Sequence, residues 1–260
     1  MHHMMLDHFA AGESPVHRLD PVAKTLAMLA MILATVLLGD RFVAFLPLAA
    51  AMAVYHAIGR VPLGYTLKRL AMASPFALGV AIFFPILEPG RAVWTHPVGP
   101  WTLMVTEEGL LRAANLLAKF VLCVWATLLL LSTTRFQDVV QALARLHVPR
   151  LFTVQLAFLY RYLWVLIDEV MHLRRAREAR DGGAGAWAPR FRSQAGLVGV
   201  LFLRTYDRAE RIYWAMAARG FDGSLHTSTQ GRLRAKDWAF MLGTIAGAAG
   251  VVAADRLTHG

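Results

Sequence analysis

The chain has 260 residues, of which 57% are hydrophobic and only 17% charged, with a formal net charge of +10 and one cysteine, Cys123. A soluble domain carries about 25% charged residues, so this balance points to lipid as the solvent, and a lone cysteine excludes an internal disulfide framework or a cysteine-rich metal site. The basic charge is concentrated: 17 of the 27 Lys and Arg lie between Thr133 and Lys236, among eight acids and between apolar runs, a pattern that orients a membrane protein and does not suggest nucleic acid as a partner.

Residues 1–20 read as a cytosolic segment. The start, Met1-His2-His3-Met4-Met5, offers soft and imidazole donors, and a terminal amine with His3 could chelate nickel or copper beside His2. The plainer reading is an unstructured terminus or a cloning remnant, and metal capture by this chain is not the expectation.

Asp20-Pro21 opens a first apolar span running to about Leu38. No small-x-small cleavage site follows, and further spans come at once, so a signal peptide is not expected. The second span is Phe42 to Ile58. The third is Leu70 to Leu87, with Pro75 and Pro85 inside it, and the fourth is Leu110 to Leu131. A last span, Trp238 to Val252, is rich in Gly and Ala, which let helix backbones approach closely. Each is close to the length that crosses a hydrocarbon core of about 30 Å.

The loops set an orientation. Arg18 and Lys24, then Arg60, Lys68 and Arg69, then the long basic insertion fall on one face. Asp40, Arg41, Glu88, Arg91, Glu107, Glu108, Asp255 and Arg256 fall on the other. Positive-inside places the N-terminus in the cytoplasm and the C-terminus outside. Residues 151–173 are apolar enough for a sixth span, but Arg161 lies mid-segment and Asp168-Glu169 near its end, so we read an interfacial helix with Phe158, Tyr160, Tyr162 and Trp164. Asp181-Gly182-Gly183-Ala184-Gly185 breaks it. A second long helix runs from Ser193 to Arg219 and stops at Gly220. The expected fold is all-α: a polytopic membrane bundle of about five transmembrane helices (four in 21–132, the last in 237–260), with long cytosolic amphipathic helices in 133–236.

Lys119 inside the fourth span reads as a snorkelling side chain or a buried structural pair. His56 and His147, at the edges of apolar runs, read as structural. The chain has no G-x-x-x-x-G-K-[ST], H-E-x-x-H, G-x-S-x-G or C-x-x-C pattern, so neither ATP binding nor an enzyme activity is expected of it.

Two helix ends look alike. One reads Arg174-Arg175-Ala176-Arg177-Glu178-Ala179-Arg180-Asp181-Gly182; the other ends in Ala218-Arg219-Gly220-Phe221-Asp222-Gly223. On the second helix Arg204, Arg208, Arg211, Ala215 and Arg219 step by four, three, four and four, which puts four arginines on one stripe. A cation at a helix C-terminus is favoured by the macrodipole, a small Ala permits close approach, and an Arg fork can grip a carboxylate with two hydrogen bonds. Simple capping and attraction to anionic lipid is the competing explanation.

With these ends, with Tyr160-Arg161-Tyr162 and Asp168-Glu169, with Arg204-Thr205-Tyr206-Asp207-Arg208, and with the opening Ser14-Pro15-Val16-His17-Arg18-Leu19-Asp20-Pro21, the chain resembles the transmembrane coupling (T) component of energy-coupling-factor transporters, in the cobalt/nickel branch. The resemblance implies two cytosolic Ala-Arg-Gly ends that dock on a dimer of ABC-type ATPases, which would hold the ATP and magnesium, and a separate integral membrane subunit that binds the ion. It assigns docking to Ala179, Arg180 and Asp181 and to Ala218, Arg219 and Gly220, with Arg208 and Arg211 on the same stripe. Asp181 stands where the family pattern has Gly, so Arg177 competes with Arg180 for the first docking position. The alternatives are a T component of a vitamin importer, or an unrelated membrane enzyme or channel whose basic insertion binds lipid.

Overall fold

The structure, a computed structural model, describes residues 12, 14–39, 42–98, 101–181, 187–223 and 233–257. It is an all-α polytopic fold and forms two compact units, one built from residues 1–142 with 231–260 and the other from residues 143–230.

In the first unit, helix α1 (Pro21–Leu37) starts where the sequence places it. Asp20 is the N-cap and accepts the Val22 amide at 2.8 Å, while Pro21 occupies a first-turn position that needs no N–H partner. A short 3-10 turn (Phe42–Ala44) leads into α2 (Phe45–Gly59), closed by Arg60 in the left-handed conformation. Helix α3 (Leu63–Ala81) begins seven residues before the expected start, so Lys68 and Arg69 lie on its early turns rather than in the loop.

The two prolines of the third span behave differently. Pro75 sits inside α3, and the carbonyl of Ala71 that it deprives of a partner receives the Ser74 hydroxyl at 2.9 Å. Among the described residues no side-chain hydroxyl reaches the carbonyl four residues before Pro85. Its ring would meet the carbonyl of Ala81, and α3 ends at Ala81, with the four-residue α4 (Phe84–Leu87) following.

Between α4 and α5 the chain forms an antiparallel hairpin, β1 (Ala92–Val98) and β2 (Trp101–Thr106), with Ala92 opposite Thr106 and Val98 opposite Trp101. The sequence reading treats this connection only as a carrier of charge. Helix α5 (Glu107–Thr133) is N-capped by Thr106, and a Cβ at Gly109 would lie 2.5 Å from the Phe84 carbonyl oxygen, so a residue without a side chain permits the α4–α5 approach. Helix α9 (Ala235–Leu257) completes this unit.

Helix α1 is the centre. Ala23, Ala27 and Ala34 are buried on it, with Met28 and Met31, and it packs against both α9 and α5. The core adds Leu48, Met52 and Tyr55 of α2, Leu122, Ala126 and Leu129 of α5, and Ala248 of α9. Polar pins lock both ends of α1. At its start, buried Lys24 donates its Nζ to the last carbonyl of α5, Thr133, at 2.8 Å, and Tyr55 shares a hydrogen bond with the Thr133 hydroxyl at 3.0 Å. Asp237 of α9 accepts the Asp20 amide at 3.1 Å. Beyond its C-terminal end, Lys119 of α5 donates to the carbonyls of Leu38 (2.7 Å) and Val36 (3.3 Å), Asn115 donates to Gly39, and Asp255 of α9 accepts the Gly39 amide. Lys119 is thus a structural cation satisfying helix-end carbonyls. His56 is structural too, accepting the Trp125 indole N–H at 3.2 Å.

These pins fix sidedness. The start of α1, the end of α5 and the start of α9 share one end of the bundle; the end of α1, the hairpin-proximal part of α5 and the end of α9 share the other. The chain that leaves α5 and returns as α9 therefore crosses the membrane an even number of times. By length and composition five helices can span: Phe42–Gly59, Leu63–Leu87, Glu107–Thr133, Arg150–Arg180 and Ala235–Leu257. Helix α1, a largely apolar helix of 17 residues, is just shorter, yet its pairing with α5 and α9 at both ends requires it to cross with them. A lone crossing by 150–180 would break the parity.

Candidate coupling site

The second unit carries both candidate helix ends. A short amphipathic helix, α6 (Phe136–Arg145), links the two units, and the chain turns at His147, where φ is +62°. Helix α7 (Arg150–Asp181) and helix α8 (Trp187–Ala217) follow and pack on each other.

The end of α8 is built in detail. Gly220 has φ +75°, the left-handed conformation that stops a helix, and nothing lies within 4 Å of a Cβ placed there. The Gly220 amide donates to Ala217 at 3.0 Å and the Phe221 amide reaches back to Met216 at 3.1 Å, the paired bonds of a Schellman motif. Carbonyls that would be orphaned are satisfied, and Ala218, Arg219 and Gly220 form a defined, exposed turn. The apolar residue after the stop, Phe221, packs edge-on against Phe158 of α7 with centroids 6.3 Å apart, and Phe158 stacks on Tyr162. The tip is therefore fastened to the neighbouring helix.

A second brace lies higher on the pair. Glu169 of α7 accepts Arg204 of α8 at 2.6 Å and pairs with Arg208 at 3.6 Å. The Arg204 hydrogen bond, aided by the charges of Arg204 and Arg208, holds the Glu169 carboxyl below its ordinary value. Two members of the arginine stripe thus join helix to helix, while Arg211 and Arg219 of the same stripe are exposed.

The first end differs. Ala179, Arg180 and Asp181 all remain in α7, so Asp181 closes the helix instead of beginning the break; the expected glycine break, 182–185, lies outside the described residues. Arg180 is exposed, whereas Arg177 is half-buried and already engaged in an interaction. Arg174 pairs with Glu178 along the helix at 3.8 Å. Among the described residues no group of three or more His, Cys, Asp or Glu is placed to hold a metal ion; His2 and His3 lie outside them. Sequence reasoning singled out the tips and missed what positions them: Glu169 as a bracket for two arginines, and the Phe158–Phe221 contact. The apolar residue just past the helix stop was the available signal for the latter.

The arrangement presents a guanidinium, Arg219, at the C-terminal end of a 31-residue helix whose last turn is immobilised by backbone bonds and an aromatic clasp. Such a tip can grip a carboxylate with two parallel hydrogen bonds. A model of the cobalt transport protein family CbiQ matches residues 12–230, which include α1 to α8 and both helix ends. The chain belongs to the CbiQ family. It is a T component of the energy-coupling-factor type and a multi-pass membrane protein. Among relatives, the cobalt transport protein CbiQ of Salmonella typhimurium is 32% identical over 160 residues, covering 60% of this chain and 71% of that one. The energy-coupling factor transporter transmembrane protein EcfT of Listeria innocua is 28% identical over 250 residues, 92% of each chain. An EcfT of Lacticaseibacillus paracasei is also 28% identical, over 86% of this chain and 87% of its own. Against the EcfT of Listeria innocua the similarity covers nearly the whole chain, so this CbiQ-type protein resembles its relatives in the membrane helices as well as in the basic insertion.

Proposed function

We propose that this CbiQ-type protein is the non-catalytic transmembrane coupling subunit of an ATP-driven importer of cobalt or nickel ions. Two ABC-type ATPase subunits bind and hydrolyse ATP with magnesium, a separate integral membrane subunit binds the ion, and this chain joins them. The ATPases dock on Arg219 and Arg180, with Ala218 and Ala179 permitting close approach. Nucleotide-driven closure then displaces α7 and α8. The N-terminus lies in the cytoplasm of a bacterial inner membrane. Cobalt is the ion named in the family description and in the Salmonella relative.

The observation that carries this reading is the end of α8: an exposed Arg219 on a Schellman-terminated turn clasped to α7. Rigid backing is what a lever needs, and helix capping alone does not require it. Exposed apolar side chains add to it. Leu203, Tyr206 and Tyr213 lie along one face of α8, each more than half exposed, and apolar patches of this kind mark contacts with other proteins.

The test is co-purification with a co-expressed pair of ABC-type ATPase subunits. The wild-type chain should retain them stoichiometrically. Arg219→Glu, which turns attraction to a carboxylate into repulsion, should stay in the membrane and lose most of the bound ATPase. Full retention by this variant would show that the tip does not dock. Uptake of labelled cobalt and nickel, with vitamins as controls, identifies the cargo.

A further inference from the structure

A groove of about 990 Å³ runs along the first unit between the segment before α1, the helices α1 and α2, and α9. It reaches the upper size of ordinary ligand pockets and its walls are mostly apolar. Met31, Leu48 and Met52 line its floor. Gly243 and Gly247, one helical turn apart on α9, line it as well, and a Cβ built on either meets nothing within 4 Å.

One end of the groove is cationic. Arg18 precedes α1, Arg60 follows α2, and Lys236 lies in the first turn of α9; all three line the groove and are exposed. They come from three separate stretches of chain, gathered at the bundle end where α1 and α9 begin. The acids nearby hold backbone amides and face the buried Lys24: Asp237 accepts the amides of Asp20 and Arg234, Asp20 accepts that of Val22, and both carboxylates, with Asp138, attract the Lys24 ammonium. Among the described residues no ion pair engages Arg18, Arg60 or Lys236.

We infer that this groove is a binding site for one anionic phospholipid, its phosphate held by Arg18, Arg60 and Lys236 and an acyl chain lying against the open Gly243–Gly247 face of α9. An apolar slot with cations at only one end, at the depth where a helix bundle meets headgroups, matches the amphipathic shape of such a lipid. A transmembrane helix of a partner would fit the slot but gives no account of three convergent cations. The inference is independent of the coupling reading, because it concerns neither α7 nor α8.

The test uses the delipidated full chain in neutral detergent, with dioleoylphosphatidylglycerol or dioleoylphosphatidylcholine added and retained lipids counted by native mass spectrometry. The wild-type chain should retain one phosphatidylglycerol at least about tenfold more strongly than phosphatidylcholine, since each cation near a headgroup is worth about a fivefold preference. The triple variant Arg18→Gln, Arg60→Gln, Lys236→Gln alters only exposed side chains and should lose the preference. Gly247→Leu, which fills the slot, should lose tight retention of both lipids. Equal retention of the two lipids by the wild-type chain, or an undiminished preference in the triple variant, overturns the inference. Thr244→Cys in a Cys123→Ser background reports on the occupant. Its maleimide labelling should slow with phosphatidylglycerol; protection by a partner membrane subunit in delipidated detergent, with no protection by lipid, overturns the inference in favour of a protein occupant.

Discussion

Lys24 and Lys119 lie within apolar helices, and each is directed at carbonyls that end another helix: Lys24 at Thr133 of α5, Lys119 at Val36 of α1 and at its C-cap Leu38. A helix end in a low-dielectric bundle leaves carbonyls with no water to meet, and a lysine is long enough to supply the missing donors from a neighbouring element. Lys119→Met keeps the unbranched apolar stem of the side chain and removes the donors. It should destabilise the bundle by about 2 kcal/mol, the scale of a hydrogen bond to a charged group, measured by unfolding in mixed micelles. Gly220 is the other residue fixed by local physics. At φ +75° an added Cβ costs about 1 kcal/mol, although the space around it is open. Gly220→Ala should therefore raise hydrogen exchange of the Gly220 and Phe221 amides about fivefold and leave the membrane helices unchanged.

Among the elements, the α7–α8 pair depends on one carboxylate facing two guanidinia and on one aromatic clasp. The depressed Glu169 pKa fixes the sign of the pH response. The brace contributes fully above the ordinary glutamate range and is lost as pH falls through the lowered value. Hydrogen-exchange protection factors in the middle of α7 and α8, which remove the intrinsic pH dependence of amide exchange, should be flat around neutral pH and fall in acid as the Glu169 carboxylate protonates. Glu169→Gln should show the lowered protection already at neutral pH and no acid step. An acid step that persists in the variant would assign the brace elsewhere. In the third span two prolines ten residues apart differ in effect: Pro75 lies inside α3, beside the Ser74 hydroxyl that donates to the Ala71 carbonyl, whereas α3 ends before Pro85.

For the whole molecule, the shared ends of α1, α5 and α9 make the insertion leave and return on one face. In a Cys123→Ser background, a membrane-impermeant maleimide applied to intact spheroplasts should label Leu257→Cys and not Arg175→Cys, both at exposed positions. Labelling of Arg175→Cys from outside would place α7 on the wrong face for the coupling reading.

Much of this protein was legible in its residues. Apolar runs separated by charge mark the membrane helices, Asp20-Pro21 and Ala218-Arg219-Gly220 mark a start and a stop, and the resemblance to the family was visible before its model matched residues 12–230. These are local features, set by hydration, backbone conformation and the absent side chain of glycine. The hairpin was also open to a sequence reading, since Gly99-Pro100 separates two runs rich in Val, Thr and Trp. What required the tertiary structure is every pairing between distant residues: Lys24 with Thr133, Gly39 with Asp255, Glu169 with Arg204, and the meeting of Arg18, Arg60 and Lys236 around one groove. Composition says that a buried charge or an orphaned carbonyl must find a partner. Which partner is decided by the helix packing, because side chains hundreds of residues apart in sequence become neighbours only when the apolar faces between them have closed.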